Sequence, residues 1–126
     1  MRKIITSKKA PAPIGPYSQA VLKGNTVFTS GQIAINPETG ELVLDTIKSE
    51  TLQVMENLKA VLKAANLSFD DVVKTSIFIT DMNDFTEIND VYGRYFDNDN
   101  APARETVQVA KLPKNVHIEI SMIAMK

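Results

Sequence analysis

The chain has 126 residues, 44% hydrophobic and 23% charged, with a formal net charge of -1, which are the totals of one ordinary globular domain spanning 1–126. It has no cysteine and one histidine, His117, so disulfides and thiolate nucleophiles are excluded and a metal centre lacks its usual ligands. The slightly acidic balance leaves no electrostatic footprint for nucleic acid, no apolar stretch reaches membrane-span length, and Met1–Lys9 lacks a signal-peptide core; a cytoplasmic protein without metal or other cofactor is expected.

Lys3 to Thr6 fits a short first strand. Pro11, Pro13 and Pro16 make the following stretch extended loop. Gly24-Asn25 predicts a hairpin between a strand around Ser18 to Leu22 and one over Val27 to Ile35, closed by the turn Asn36-Pro37-Glu38-Thr39-Gly40. Ile47, Val54, Leu58, Val61, Leu62 and Ala65 recur at helical spacing, which predicts a helix from about Thr46 to Ala65, with Asp45 or Thr46 as N-cap and Asn66 as its end. Val72 to Thr80 reads as a central strand. Asp81 can cap a second helix carrying Phe85, Ile88, Val91 or Tyr92, and Tyr95. Arg104 to Val109 and Val116 to Met125 are the last strands.

Two helices against one sheet leave a second sheet face uncovered. In the last strand Val116, Ile118, Ile120, Met122 and Ala124 share the side suited to the core, while His117, Glu119, Ser121, Ile123 and Met125 share the other. In the preceding strand, sorting by polarity puts Arg104, Thr106 and Gln108 on the uncovered face, opposite Val107 and Val109. That face also carries Phe28, so it is too apolar for plain solvent surface and too polar for a sealed core. Self-association through the sheet, with ligand pockets at the seams, accounts for both properties.

Arg104 and Glu119 carry the chemistry. A guanidinium grips a carboxylate through two parallel charge-assisted hydrogen bonds, which a lysine cannot copy. A glutamate on a neighbouring strand could move protons on the molecule so held. The plainer alternatives are a surface ion pair for Arg104 and a structural salt bridge between the two. His117, the lone histidine, reads as structural or exposed.

The segments Ile14-Gly15-Pro16-Tyr17-Ser18-Gln19-Ala20, Thr29-Ser30-Gly31-Gln32, Pro102-Ala103-Arg104 and Val116-His117-Ile118-Glu119-Ile120 resemble, in this order, the RidA (YjgF) family, which includes 2-iminobutanoate/2-iminopropanoate deaminases. The resemblance spans nearly the whole chain. It implies an α+β, chorismate-mutase-like fold with a mixed six-stranded sheet and two helices on one face. It also implies a homotrimer whose sheets line a central barrel, with three equivalent pockets at the subunit interfaces. Arg104 resembles the family's substrate-carboxylate arginine and Glu119 its acid for water or the imine proton. Tyr17 resembles the aromatic residue closing the pocket, Ser30 and Gly31 its polar and backbone lining, and Asn89 the helix asparagine near the site. From the residues alone, Tyr17 could simply pack, Ser30 could serve only the backbone, and Asn89 could face solvent. Three departures bear on pocket shape: Glu105 where many members have a small or apolar residue, Thr106 where some have cysteine, and Ala101 where an aromatic residue often stands.

The implied reaction is hydrolysis of reactive 2-imino or enamine acids, such as 2-aminoacrylate and 2-iminobutanoate, to 2-oxo acids and ammonia. Such compounds are by-products of pyridoxal-phosphate enzymes, so the role is disposal of damaging metabolites. The alternative is a non-catalytic protein that senses a 2-oxo acid or amino acid with the same arginine. A ribonuclease or translation inhibitor, as some relatives are labelled, fits poorly with an acidic chain that lacks a basic, aromatic-bearing patch.

Overall fold

In the computed structural model, which describes residues 1–126, eight elements follow one another. They are β1 (Lys3–Ile5), β2 (Ala20–Lys23), β3 (Thr26–Thr29), α1 (Ile47–Ala64), β4 (Val72–Ile79), α2 (Phe85–Tyr92), β5 (Ala103–Gln108) and β6 (Ile118–Met125). The six strands form one sheet in the order β1-β2-β3-β6-β4-β5. All neighbours are antiparallel except β4 and β5. That parallel pair needs a crossover, and α2 supplies it.

Helix α1 starts where Thr46, in extended conformation, accepts the Ser49 N–H on its side chain, a cap worth about 1 kcal/mol. It ends where Asn66 turns left-handed at φ 60°. There the Leu67 N–H reaches back to Leu62 O and the Asn66 N–H to Lys63 O, each at 2.9 Å, satisfying carbonyls that the helix end would orphan. The inner stripe of α1, Val54, Met55, Leu58, Val61 and Leu62, is sealed against Ile77, Ile79, Ile118, Ile120, Met122 and Ala124 of the sheet. No helix is long and apolar enough to cross a membrane.

Several expectations are corrected. The third strand stops at Thr29 instead of running to Ile35; beyond Ser30 and Gly31 only isolated bridges remain, Gln32 with Ile120 and Ile35 with Leu42. Helix α2 ends at Tyr92, and Tyr95 belongs to a short 3-10 turn, Gly93–Tyr95. The strands bearing Arg104 and Glu119 are not neighbours, because β4 lies between them. Arg104 also faces the other way. Its partner in register is Thr75, fully buried beneath the helices, whereas Glu119 aligns with Phe78 and Val107 on the open face.

The reason lies in β5 being an edge strand. Sorting by polarity assumes that the apolar side of a strand faces the core, but Val107 is 43% exposed on the open face. Arg104 instead lies over aromatic rings of α2. Thr106 follows it onto the helix side, opposite Ile77, where its hydroxyl is buried without a partner. Glu105 stands on the open face, bonded to Ser76 and to Lys74 Nζ at 2.7 Å, on the opposite side of the sheet from Arg104.

Sequence reading missed one buried acid. Glu50, in the first turn of α1, is 0% exposed. Its carboxylate accepts the His117 N–H at 2.7 Å and the Ile118 N–H at 3.1 Å, and contacts His117 Nδ1 at 2.8 Å. His117 is therefore structural: together with Glu50 it pins the start of β6, two residues before Glu119.

Candidate active site

The residues singled out in the sequence fall into two clefts. The first, about 300 Å³, is lined by Ile14, Tyr17, Ser30, Gly31, Ile33, Pro113 and Glu119. Its shape follows from how β3 ends. The Ser30 N–H donates to Gln19 O at 2.9 Å and its hydroxyl to Ser18 O at 2.6 Å, so Ser30 is occupied in holding the turn. Two residues later Gln32 pairs with Ile120 in both directions, at 2.8 and 3.1 Å. Gly31 is thereby laid beside Glu119, and its own N–H finds no acceptor in the chain.

Glu119 is half-buried and has neither a hydrogen-bond donor nor a cation within the chain. Burial alone pushes its carboxyl above the ordinary glutamate value of 4.5, because a desolvated carboxylate without a partner favours its neutral form. The structural salt bridge to Arg104 is absent. Tyr17 is 47% exposed. It is held on its turn by the Ile14 N–H, which donates to its hydroxyl at 3.3 Å, and by its own N–H to Gly15 O at 2.8 Å.

The proline-rich loop behind Tyr17 is stapled by Gln19, which is 2% exposed. Its amide donates to Ser7 O, Ala10 O and Pro11 O, and its Oε1 accepts the Ser7 N–H. Asn57 of α1 does the same for the other wall, donating to Ile33 O and Ile35 O. Both supports were missed in the sequence, where a buried amide inside a loop motif or helix carries no periodic signal.

The second cleft, about 340 Å³, is lined by Asn89, Tyr92, Gly93, Phe96, Asn98, Ala101, Pro102 and Arg104. Ala101 thus does contribute to pocket shape. Arg104 Nη1 donates to Asn89 Oδ1 at 2.6 Å, so Asn89 spends its carbonyl on the arginine instead of facing solvent. No carboxylate pairs with Arg104, and its Nε and Nη2 have no acceptor in the chain. Those two nitrogens form an edge that can take a carboxylate through two parallel bonds. One cleft offers an unneutralised cation and the other an unpaired acid, on opposite faces of one sheet.

Comparison with known proteins agrees with this fold. The family described as Endoribonuclease L-PSP matches residues 7–126. A RutC family protein of Pyrococcus horikoshii is 52% identical over 126 residues, covering 100% of this chain and 99% of its own. Escherichia coli TdcF, provisionally named a reactive intermediate deaminase, is 49% identical over 128 residues, covering 100% and 98%. Its crystal structure with bound serine superposes with a TM-score of 0.92 over 98% of each chain. A Yersinia pestis protein of the conserved Rid family, 46% identical, superposes at 0.97 over 100% of both. With a family match across all but six residues and relatives near half identity over full length, this chain belongs to the RidA/YjgF/RutC family.

Proposed function

We propose that the protein hydrolyses reactive 2-imino and enamine acids, among them 2-iminopropanoate and 2-iminobutanoate, to 2-oxo acids and ammonia. In this reading the working site forms between copies of the chain. The observation that carries it is Arg104, whose free edge meets no carboxylate of its own chain. Ile4, Phe28, Val107 and Met125 are 40–50% exposed on the open sheet face, and β5 ends the sheet with an unpaired edge. Apolar area of this kind is removed from water by a second copy. A homotrimer that buries it would set the Arg104 cleft of one copy against the Glu119 cleft of the next.

The chemistry follows from the two clefts. Arg104 holds the substrate carboxylate and so fixes the adjacent C=N carbon, replacing a free encounter by an oriented one. Glu119 takes a proton from water as its oxygen bonds to that carbon, and returns the proton to nitrogen. The tetrahedral adduct collapses to the C=O of the 2-oxo acid as Glu119 carries the hydroxyl proton to nitrogen, the C–N bond breaks and ammonia leaves. Proton transfer of this kind contributes about 10²–10⁴-fold. The free Gly31 N–H can donate to the developing oxygen or to the carboxylate. Neither a metal nor a nucleophile is required, since imines already add water unaided.

TdcF with bound serine also favours a second reading, a small-carboxylate sensor using the same arginine. The test is a coupled assay in which a pyridoxal-phosphate dehydratase releases 2-aminoacrylate or its four-carbon analogue, and 2-oxo acid appearance is followed with and without this protein. Acceleration that Arg104→Ala and Glu119→Gln both abolish supports the enzyme. Ligand binding with no acceleration supports the sensor.

A further inference from the structure

Arginine has about 2 kcal/mol of side-chain rotamer entropy to lose when it is fixed, so a guanidinium that works as a clamp needs to be held before the ligand arrives. Arg104 is held from one side of α2. Its guanidinium carbon lies 5.1 Å from the ring centre of Tyr92 and 5.6 Å from that of Phe85, while Asn89 takes Nη1. These three residues stand at i, i+4 and i+7, one face of the helix. Tyr92 is itself fixed: it is 6% exposed, its hydroxyl bonds to Thr75 Oγ1 at 3.1 Å, and its ring lies 4.8 Å from that of Phe96. Thr75 is the register partner of Arg104. The contacts therefore close a ring, from β4 through Tyr92 to the arginine and back through the strand pairing.

Choosing rings over a carboxylate has a consequence. An acidic partner would neutralise the guanidinium and occupy its donors. An aromatic face attracts the cation through its quadrupole and leaves the in-plane Nε and Nη2 donors of Arg104 available. We propose that Tyr92 and Phe85 are positioning residues that set the affinity of Arg104 for a substrate carboxylate by holding its guanidinium in place. The inference rests on Arg104 being the carboxylate clamp.

The test measures binding of 2-oxobutanoate by calorimetry, with KM and kcat from the coupled assay, on the intact assembled protein. Phe85→Leu and Tyr92→Leu are each expected to raise Kd and KM about two- to thirtyfold, the span of a cation–π contact, with kcat within about twofold. Tyr92→Phe keeps the ring and returns Kd to near the wild-type value. Wild-type Kd and KM in both leucine variants would overturn the inference, as would losses confined to kcat. Should Tyr92→Leu fail to fold, Phe85→Leu, at a partly exposed site, decides alone. Arg104→Ala separates the two levels: unchanged binding there removes the clamp itself, whereas lost binding there with intact Phe85→Leu and Tyr92→Leu removes only the aromatic support.

Discussion

Glu119 lies directly against the backbone of Gly31. A Cβ built on that glycine would stand 2.5 Å from Glu119 Oε1 and 2.6 Å from Cδ. The absent side chain is therefore what lets the acid lie where it does.

Gly31→Ala should leave the fold intact, because the atoms it strikes belong to a movable side chain and Gly31 is not at a positive φ. The acid would swing away and the cleft would narrow. The expected outcome is a loss of about tenfold or more in kcat/KM, as misplaced catalytic groups typically give, with less than about 1 kcal/mol lost in denaturant unfolding. Full activity in this variant would show that the placement of Glu119 is immaterial.

The raised carboxyl of Glu119 links activity and stability to pH. As a base it must be ionised, so kcat/KM should fall on the acid side with an apparent value above 4.5. For stability, the fold favours the protonated form. That contribution is fully present below the ordinary glutamate value and lost as pH rises through the elevated one. Glu119→Gln should thus be more stable than wild type at about pH 8 and indistinguishable from it at about pH 4, measured by urea midpoints. A midpoint difference unchanged between these conditions would contradict the assignment of an unpaired, desolvated acid.

Glu50 supports the opposite expectation. Its carboxylate serves two backbone N–H groups and the His117 ring. Removing it strands buried donors at about 1–3 kcal/mol each. Glu50→Ala should lose about 3 kcal/mol or more in chemical unfolding, whereas Glu50→Gln, which retains an acceptor oxygen, should lose less. Equal losses in the two variants would mean that packing, not hydrogen bonding, is what the residue supplies.

The helices, the sheet and the core were legible because their signals are periodic. Thr46, the stripe from Ile47 to Ala65, and the alternation from Ile118 to Ala124 each repeat at the spacing of the element they build. Arg104 and Glu119 were legible from residue type and strand placement, Tyr17, Ser30, Gly31 and Asn89 only through motif resemblance, and the arrangement of the two clefts was not legible. Nothing local tells that β6 enters the sheet between β3 and β4, so the strand between Arg104 and Glu119 was hidden. The facing of β5 was misread because Val107, an exposed apolar residue on an edge strand, resembles core. Glu50 was hidden for a related reason: an acid in a first helical turn looks like an ordinary solvated one until its partner 67 residues away is in place.

A site shared between copies makes a prediction that no single-chain site can. Arg104→Ala and Glu119→Gln chains, each inactive alone, are unfolded together, refolded at equal ratio and assayed. With head-to-tail contacts in a closed ring, about a quarter of the seams would combine an intact Arg104 from one copy with an intact Glu119 from its neighbour. Recovery of about a quarter of wild-type turnover is the expected result. A mixture that co-assembles yet stays as inactive as its components would contradict the shared site.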